Sequence, residues 1–292
     1  MTVEKVPSNN ATFQKFQVLQ TNRNKRYKYN QFIVEGVRNI NEAIKNKWKI
    51  DSFIYPGNTN LSDWAKKILT DVPTKINYEL TPALMQELSG KGDTSELMMI
   101  VEMREDTLDI NSFSSNPLLA LFDRASNHGN LGTIIRSCDA CGVECLILTG
   151  HAVDLYDPEV VTASMGSFFN VHVVRMVENQ QLLDFVAAMK KKYPDFAAVG
   201  TTAHREYPIY KEDLTKPLMF MIGNETEGLC IAFKECCDKL ITIPMAETSY
   251  ASSFNVGCAA SIMFYEAVRQ RIEAGTSNNA WRVNNGNQIS TH

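Results

Sequence analysis

Four stretches of this chain carry side chains that could do chemistry. Ser252-Ser253-Phe254-Asn255 stands just before a run with apolar or small residues at 256, 259, 260, 263, 264 and 267. That i, i+3, i+4, i+7 spacing predicts a helix with one buried face. Small polar side chains ahead of such a helix either cap its free N–H groups or orient a ligand there. Asn127-His128-Gly129-Asn130 is followed by Arg136, almost two helical turns beyond Asn130. A guanidinium is permanently charged and beside a buried site needs an anion, either a substrate phosphate or an acid such as Asp139. Gly223-Asn224-Glu225-Thr226-Glu227-Gly228 places glycines where backbone turns sharply or approaches a ligand closely. It is neither a dinucleotide fingerprint nor a phosphate loop, and its two carboxylates suit a cation better than a phosphate. Finally, Arg23, Lys25, Arg26 and Lys28 interleave with Tyr27 and Tyr29, a mixture suited to phosphate pairing plus base stacking on RNA.

These residues need a scaffold, and the hydrophobic pattern supplies one. Residues 1–10 read as frayed, with a short helix over 13–19. Strands over 31–35, 51–55, 74–77 and 97–103 alternate with helices over 37–46, 61–69 and 81–88. That alternation predicts a small three-layer α/β domain over 11–106. A polar, aperiodic segment ending at Pro117 marks a linker, 107–117. Continuous apolar strands over 118–122, 144–148, 171–174, 196–200, 218–223 and 240–243 follow, with helices over 131–141, 158–165 and 180–192 between them. Uninterrupted apolar strands separated by helices predict a parallel sheet covered on both faces, over 118–275. Ligands of such sheets bind at the carboxyl ends of strands, where the loops 200–203, 223–228 and 244–255 lie. The tail, 276–292, is polar and reads as disordered.

Composition narrows the class. With 292 residues, 44% hydrophobic and 21% charged, the chain is expected to form a soluble globular protein of two domains. No apolar run is long enough to span a membrane, and no signal peptide is visible at the amino terminus. Seven cysteines, an odd number, point to free thiols in a reducing cytoplasm. Cys138 and Cys141 fall on one helix facing its apolar side, so they and Cys145 read as core, and no metal is expected. The formal net charge is −4, yet 15–49 holds nine basic residues against two acids, Glu35 and Glu42. Such a local excess attracts phosphates even on an acidic protein, or simply solvates one face.

Three segments, in order, resemble the SpoU (TrmH) family of RNA ribose 2′-O-methyltransferases, within the SPOUT class: Asn130-Leu-Gly-Thr-Ile-Ile-Arg136, Ile222-Gly-Asn-Glu-Thr-Glu-Gly-Leu229, and Ile243-Pro-Met245 leading to Ser253-Phe-Asn-Val256. Phe32-Ile-Val-Glu-Gly-Val-Arg38 resembles the family's L30e-like substrate-binding domain, so the likeness covers nearly the whole chain. The resemblance implies a trefoil-knotted carboxyl-terminal domain, a homodimer and S-adenosyl-L-methionine as methyl donor. It also implies that Thr201, Thr202, Gly223, Asn224, Gly228, Ile243, Met245 and Phe254 hold the cofactor. Phe254 stands where most members have leucine. Arg136 is implied as the catalytic group engaging the ribose hydroxyl, with Asn130, Glu225, Ser253 and Asn255 orienting the reactants. Its pKa above 12 makes it a poor base, so we expect it to position and stabilise the forming alkoxide. Arg23, Lys25, Arg26, Lys28 and Arg38 are the expected RNA contacts, and ribosomal RNA is the expected substrate ahead of transfer RNA. Two rivals are a non-catalytic RNA-binding protein of the same fold and a dinucleotide-dependent enzyme. The second is disfavoured by the missing glycine fingerprint.

Overall fold

In the amino-terminal half, three of the strands send alternate side chains to two different helix layers. The computed structural model describes residues 2–90, 95–202 and 207–281. Strands β1 (Thr2–Val6), β2 (Gln31–Glu35), β3 (Ile50–Pro56), β4 (Ile76–Leu80) and β5 (Met98–Glu102) form a mixed sheet in the order β1-β4-β3-β5-β2. Helices α1 (Ala11–Thr21) and α5 (Pro82–Ser89) bring Phe13, Phe16 and Met85 against Ile33, Ile54 and Ile100. On the opposite face α3 (Val37–Lys45) and α4 (Asp63–Asp71) bring Ile40, Ala43 and Ala65 against Phe32, Phe53 and Val101. This is the expected three-layer arrangement, the strand period of two sending neighbours to opposite layers.

The expectation of a frayed amino terminus is corrected. Residues 2–6 form β1, which extends the sheet edge parallel to β4 and buries Val6. A five-residue edge strand draws its order from main-chain pairing with its neighbour, which leaves little trace in side-chain pattern.

The carboxyl-terminal half is a six-stranded, all-parallel sheet in the order β11-β9-β10-β6-β7-β8. Its strands are β6 (Leu118–Asp123), β7 (Cys145–Thr149), β8 (Val173–Met176), β9 (Ala197–Thr201), β10 (Leu218–Ile222) and β11 (Lys239–Ile241). One face packs Ala120, Phe122 and Phe220 against α6 (His128–Cys141), α7 (Pro158–Ala163) and α10 (Val256–Glu273), through Ile134, Ile135, Val160, Ala260 and Phe264. The other packs Leu119, Leu121, Met219 and Met221 against α8 (Asn179–Lys192) and α9 (Ile231–Cys236), through Leu182, Phe185 and Phe233. Burying a side chain such as Phe264 contributes roughly 1.5–3 kcal/mol.

Segment 107–117 is not a free tether. Phe113 is buried against Phe185 at a ring distance of 6.4 Å, with Leu108 and Ile110 beside that layer. The start of the tail is also ordered, contrary to expectation. Asn278 Nδ2 donates to Ser114 Oγ at 2.9 Å and to the Asn116 carbonyl at 3.1 Å. Residues 282–292 lie outside the described residues.

A second correction concerns Arg26, expected as an RNA contact. Only 1% of it is exposed, and it is bound to Asp154 and Asp157 of the carboxyl-terminal half at 2.6 and 2.9 Å. In α2 (Arg23–Tyr29) it faces inward, so its charge is spent inside the protein. Removing one partner of such a buried pair costs about 3–5 kcal/mol. The apolar core continues across the same junction, where Phe32 and Trp48 meet Tyr156, Phe168 and Phe169.

Candidate active site at the carboxyl ends of the parallel strands

Neighbouring strands β11, β9, β10 and β6 run parallel, so the loops after them share one rim. The loop after β6 leads into α6, whose N-cap Asn127 accepts from the Asn130 N–H at 2.8 Å. Capping fixes the first turn and sets the direction of the Asn130 side chain. Asn130 Nδ2 donates to Glu225 Oε1 at 2.7 Å, and Asn130 Oδ1 accepts from Asn255 Nδ2 at 3.0 Å. Three motifs distant in sequence therefore meet at one amide.

Asn255 has two duties. Its Oδ1 accepts from the N–H groups of Gly257 and Cys258 at 2.9 and 3.3 Å, which caps α10, while its Nδ2 reaches Asn130. A substitution separates them. In Asn255→Asp the carboxylate still caps α10 but cannot donate to Asn130. We expect a melting temperature close to wild type and methyl-transfer turnover lowered about tenfold, a loss of roughly 1.4 kcal/mol from an unmade polar contact. Asn255→Ala additionally loses about 1 kcal/mol of stability, read by denaturant unfolding. Wild-type turnover in the aspartate variant would show the Asn130 contact to be idle.

Glu225 also accepts from Ser126 Oγ at 2.6 Å. Burial pushes its carboxyl pKa up, but hydrogen bonds from Ser126 and Asn130 outweigh that and hold it below the usual glutamate value. The rim thus keeps an ionised carboxylate. Nearby, the Asn224 side chain donates to the Arg124 carbonyl at 2.9 Å and accepts from the Thr226 and Glu227 N–H groups.

The two glycines of this loop have different reasons. Gly228 has φ +69° and open space where a Cβ would stand, so the turn requires it. A Cβ on Gly223 would overlap Leu229 N and Gly228 C and lie 2.8 Å from Leu229 Cα. It is needed because the chain packs on itself there, a cause different from the expected close approach to a ligand.

Arg136 lies on the outward face of α6 with Thr133 and Ala140, all exposed. Among the described residues its side chain makes no hydrogen bond or ion pair. Asp139, the acid considered as its partner, is occupied by Ser167 Oγ at 2.7 Å and Asn170 Nδ2 at 2.5 Å. The guanidinium is left for an external anion.

The structure does not bring every expected residue into this cluster. Ser253 and Phe254 stand exposed in the 244–255 loop, Phe254 with 41% of its surface open. Thr201 and Thr202 are half-buried, and the Thr202 N–H donates to the Ile241 carbonyl at 2.9 Å. Ile243 packs on the core and Met245 is half-buried. Ala203, of the expected loop 200–203, lies outside the described residues. Of the expected RNA contacts, Arg23, Lys28 and Arg38 are exposed and Lys25 is half-buried.

Asp123, Arg124 and Ser126 went unrecognised in the sequence. Asp123 is buried at the end of β6, accepting from Thr149 Oγ1 and the Cys230 N–H at 3.0 Å each. Arg124 donates to the Gly228 carbonyl at 2.8 Å and pairs with Glu227, which ties the glycine loop to β6. An acid terminating a wholly apolar strand was the available signal. Of the cysteines read as core, Cys138 and Cys145 are buried and Cys141 is half-buried against the core; burial raises Cys138 well above the usual thiol value, Cys141 to about 11 and Cys145 to about 12. Among the described residues no group of three His, Cys, Asp or Glu could hold a metal ion. Nor is any helix there long and apolar enough to cross a membrane.

The chain is similar to known proteins over nearly its whole length. The profile of the SpoU rRNA Methylase family matches residues 117–265, and that of the SpoU L30e-like domain matches residues 10–100. A 23S rRNA (uridine(2479)-2′-O)-methyltransferase from Streptomyces viridochromogenes is 40% identical over 274 residues, 94% of each chain. The crystal structure of the SpoU methyltransferase AviRb from the same organism, in complex with AdoMet, superposes with TM-score 0.85 and 41% identity, covering 90% of this chain and 99% of that one. An AdoMet-bound rRNA methyltransferase from Sinorhizobium meliloti superposes with TM-score 0.78 and 26% identity, over 91% and 98%.

Proposed function

The chain belongs to the SpoU rRNA methylase family, and from that premise we propose that it transfers a methyl group from S-adenosyl-L-methionine to a ribose 2′-hydroxyl of 23S rRNA. The observation that carries the reading is the junction of Asn130, Glu225 and Asn255 at the strand ends, with Arg136, unpaired among the described residues, on the same helix as Asn130. A non-catalytic RNA-binding role gives no reason for three separate loops to converge on one amide.

The rim suits the cofactor on its own chemistry. It offers an ionised Glu225, amides at Asn130, Asn224 and Asn255, and apolar side chains at Ile243, Met245 and Phe254. Together these match a ligand with an aromatic base and a cationic centre. Thr201, Thr202, Gly223, Asn224, Gly228, Ile243, Met245 and Phe254 would hold it. When bound, it supplies the methyl group as an electrophile on sulfur. The chain supplies the rest. Arg136 draws the target ribose in beside its phosphate and stabilises negative charge developing on the 2′-oxygen while the hydroxyl proton passes to a phosphate oxygen of the RNA or to water. Asn130, clamped between Glu225 and Asn255, keeps one orientation and adds no reorganisation cost during the step. Ser253 would close the site from the 244–255 loop.

Two finer statements belong to the same proposal. Strand β11 lies outside β9, yet the helix after it, α10, packs on α6 and against β10 on the other side of β9. The segment between must cross back over the loops of β9 and β10, which supports a trefoil knot. Second, α10 exposes Ile262 and Tyr265, and with Tyr210 they line a shallow groove of about 350 Å³. An uncovered apolar helix face next to the site supports a homodimer built on α10.

The test combines binding with product mapping. S-adenosylmethionine or S-adenosylhomocysteine should raise the melting temperature by mass action, and NAD should not. Incubation with 23S rRNA from cells lacking the gene should add a 2′-O-methyl group, found as a reverse-transcription stop at low nucleotide concentration. No added methyl group and no cofactor-dependent shift would refute the proposal.

A further inference from the structure

Helix α2 has two faces. Outward it exposes Lys28 and Arg23, whose Nη1 also donates to the Ala152 carbonyl at 3.0 Å, and next to it Lys15 lies over the ring of the exposed Tyr29 at 5.3 Å. Inward it drives Arg26 and Tyr27 into the carboxyl-terminal half. Arg26 Nε donates to Asp154 Oδ2 at 2.7 Å and Nη2 to Asp157 Oδ2 at 2.9 Å. Its Nη1 serves the carbonyls of Leu19 and Gln20 at 3.1 and 2.9 Å, so the whole fork is used. The Tyr27 hydroxyl donates to Asp154 Oδ1 at 2.8 Å and accepts from Arg175, which is itself paired to Asp106.

The acids that receive Arg26 lead on to the reacting residues. Asp157 is the N-cap of α7, accepting from the Glu159 N–H at 3.0 Å. Helix α7 lies against α6 at Gly132, where an added Cβ would sit 2.5 Å from Ala163 Cβ and 2.8 Å from the Val160 carbonyl oxygen. Gly132 stands on α6 between Asn130 and Arg136. A chain of close contacts therefore runs from the cationic face of α2, through Arg26, Asp154, Asp157 and α7, to the helix that carries Asn130 and Arg136. A second tie runs beside it: Trp48 Nε1 donates to the Phe169 carbonyl at 2.9 Å, with the Arg104 guanidinium 4.0 Å above the Trp48 ring.

We infer that Arg26, with Asp154 and Asp157, is a specificity-determining clamp. It holds the outward cations of α2 at a fixed distance from the methyl-transfer pocket, so RNA seated on α2 can present only the ribose at that distance. The inference rests on the function proposed above. Arg26 is a positioning residue and touches neither RNA nor cofactor.

The experiment compares wild type with Arg26→Lys, which keeps the charge and loses the fork. Each protein is given S-adenosylmethionine and 23S rRNA from cells lacking the gene, and methylated positions are mapped across the whole molecule. Arg26→Lys should retain the cofactor-induced rise in melting temperature and show a KM for RNA within about threefold of wild type, since the phosphate-binding cations remain. Its kcat at the wild-type position should fall about tenfold from misplacement of the ribose, and methyl groups should appear at neighbouring positions. A single unchanged position with unchanged kcat overturns the clamp. If Arg26→Lys gives no cofactor-induced rise, Tyr27→Phe, which removes one hydroxyl, decides by the same readouts with a smaller shift, about threefold in kcat. A wild type that methylates nothing refutes the function itself. A working wild type with an unchanged variant refutes only the clamp.

Discussion

Replacing Arg136 with alanine is expected to lower methyl transfer by about 10²–10³-fold while leaving cofactor binding intact, the size seen when one electrostatic stabiliser of a developing oxyanion is lost. The guanidinium is exposed, has no partner among the described residues, and the nearby acid Asp139 is taken by Ser167 and Asn170. Removing it breaks no side-chain hydrogen bond or ion pair among the described residues, so the fold has little reason to weaken. Surface substitutions of this kind change stability by about 0.5 kcal/mol or less. The two readouts should therefore part company. The cofactor-induced rise in melting temperature stays at the wild-type value, and single-turnover methylation of 23S rRNA collapses. Arg136→Lys keeps a positive charge but not the planar fork, so it should recover only part of the rate. Turnover unchanged in the alanine variant would remove Arg136 from the chemistry and leave the Asn130 cluster to act without it.

How much of this was visible in the sequence depends on the kind of interaction. Asn130, Glu225 and Asn255 were legible because each lies in a short motif at a strand-to-helix turn, where residue type and backbone geometry are tied together. Their convergence on a single amide was not, since no local pattern records contacts between residues 95 or 125 positions apart. The layers of both sheets were legible through strand and helix periodicity. Arg26 was misread because its neighbours Arg23, Lys25 and Lys28 make the stretch look like a surface. Its true partner, Asp154, lies 128 positions away, and only the rotation of α2 distinguishes the buried cation from the exposed ones. Strand β1 was missed for a related reason, an edge strand being held by a neighbour's main chain. Gly223 was recognised as special for a reason that proved incomplete, because a close approach between two parts of one backbone is invisible until the chain is folded.

That close approach gives a large effect on the fold. In Gly223→Ala the new methyl group falls on the main chain at Gly228 and Leu229, 2.8 Å from Leu229 Cα and nearer still to the adjoining atoms. Main chain cannot rotate aside as the end of a side chain can, so the loop must open or β10 must shift. Both moves are resisted. The loop is fixed by Asn224 pairing with Gly228 in both directions, by Arg124 holding the Gly228 carbonyl, and by Asp123 accepting the Cys230 N–H. Strand β10 sits in the middle of the sheet between β9 and β6. Overpacking of a well-filled interior costs about 1–3 kcal/mol, and a clash against rigid backbone belongs at or above the upper end of that range. Opening the loop would also carry Glu225 away from Asn130 and Ser126, so loss of cofactor binding should accompany the loss of stability. Gly228→Ala makes the control. It meets open space and suffers only from its left-handed φ of +69°, so its cost should be the smaller, about 1 kcal/mol. Denaturant unfolding of the two variants measures the difference. Equal stabilities would mean that the loop yields freely at Gly223 and that the crossing of the chain on itself there contributes nothing to the cofactor rim.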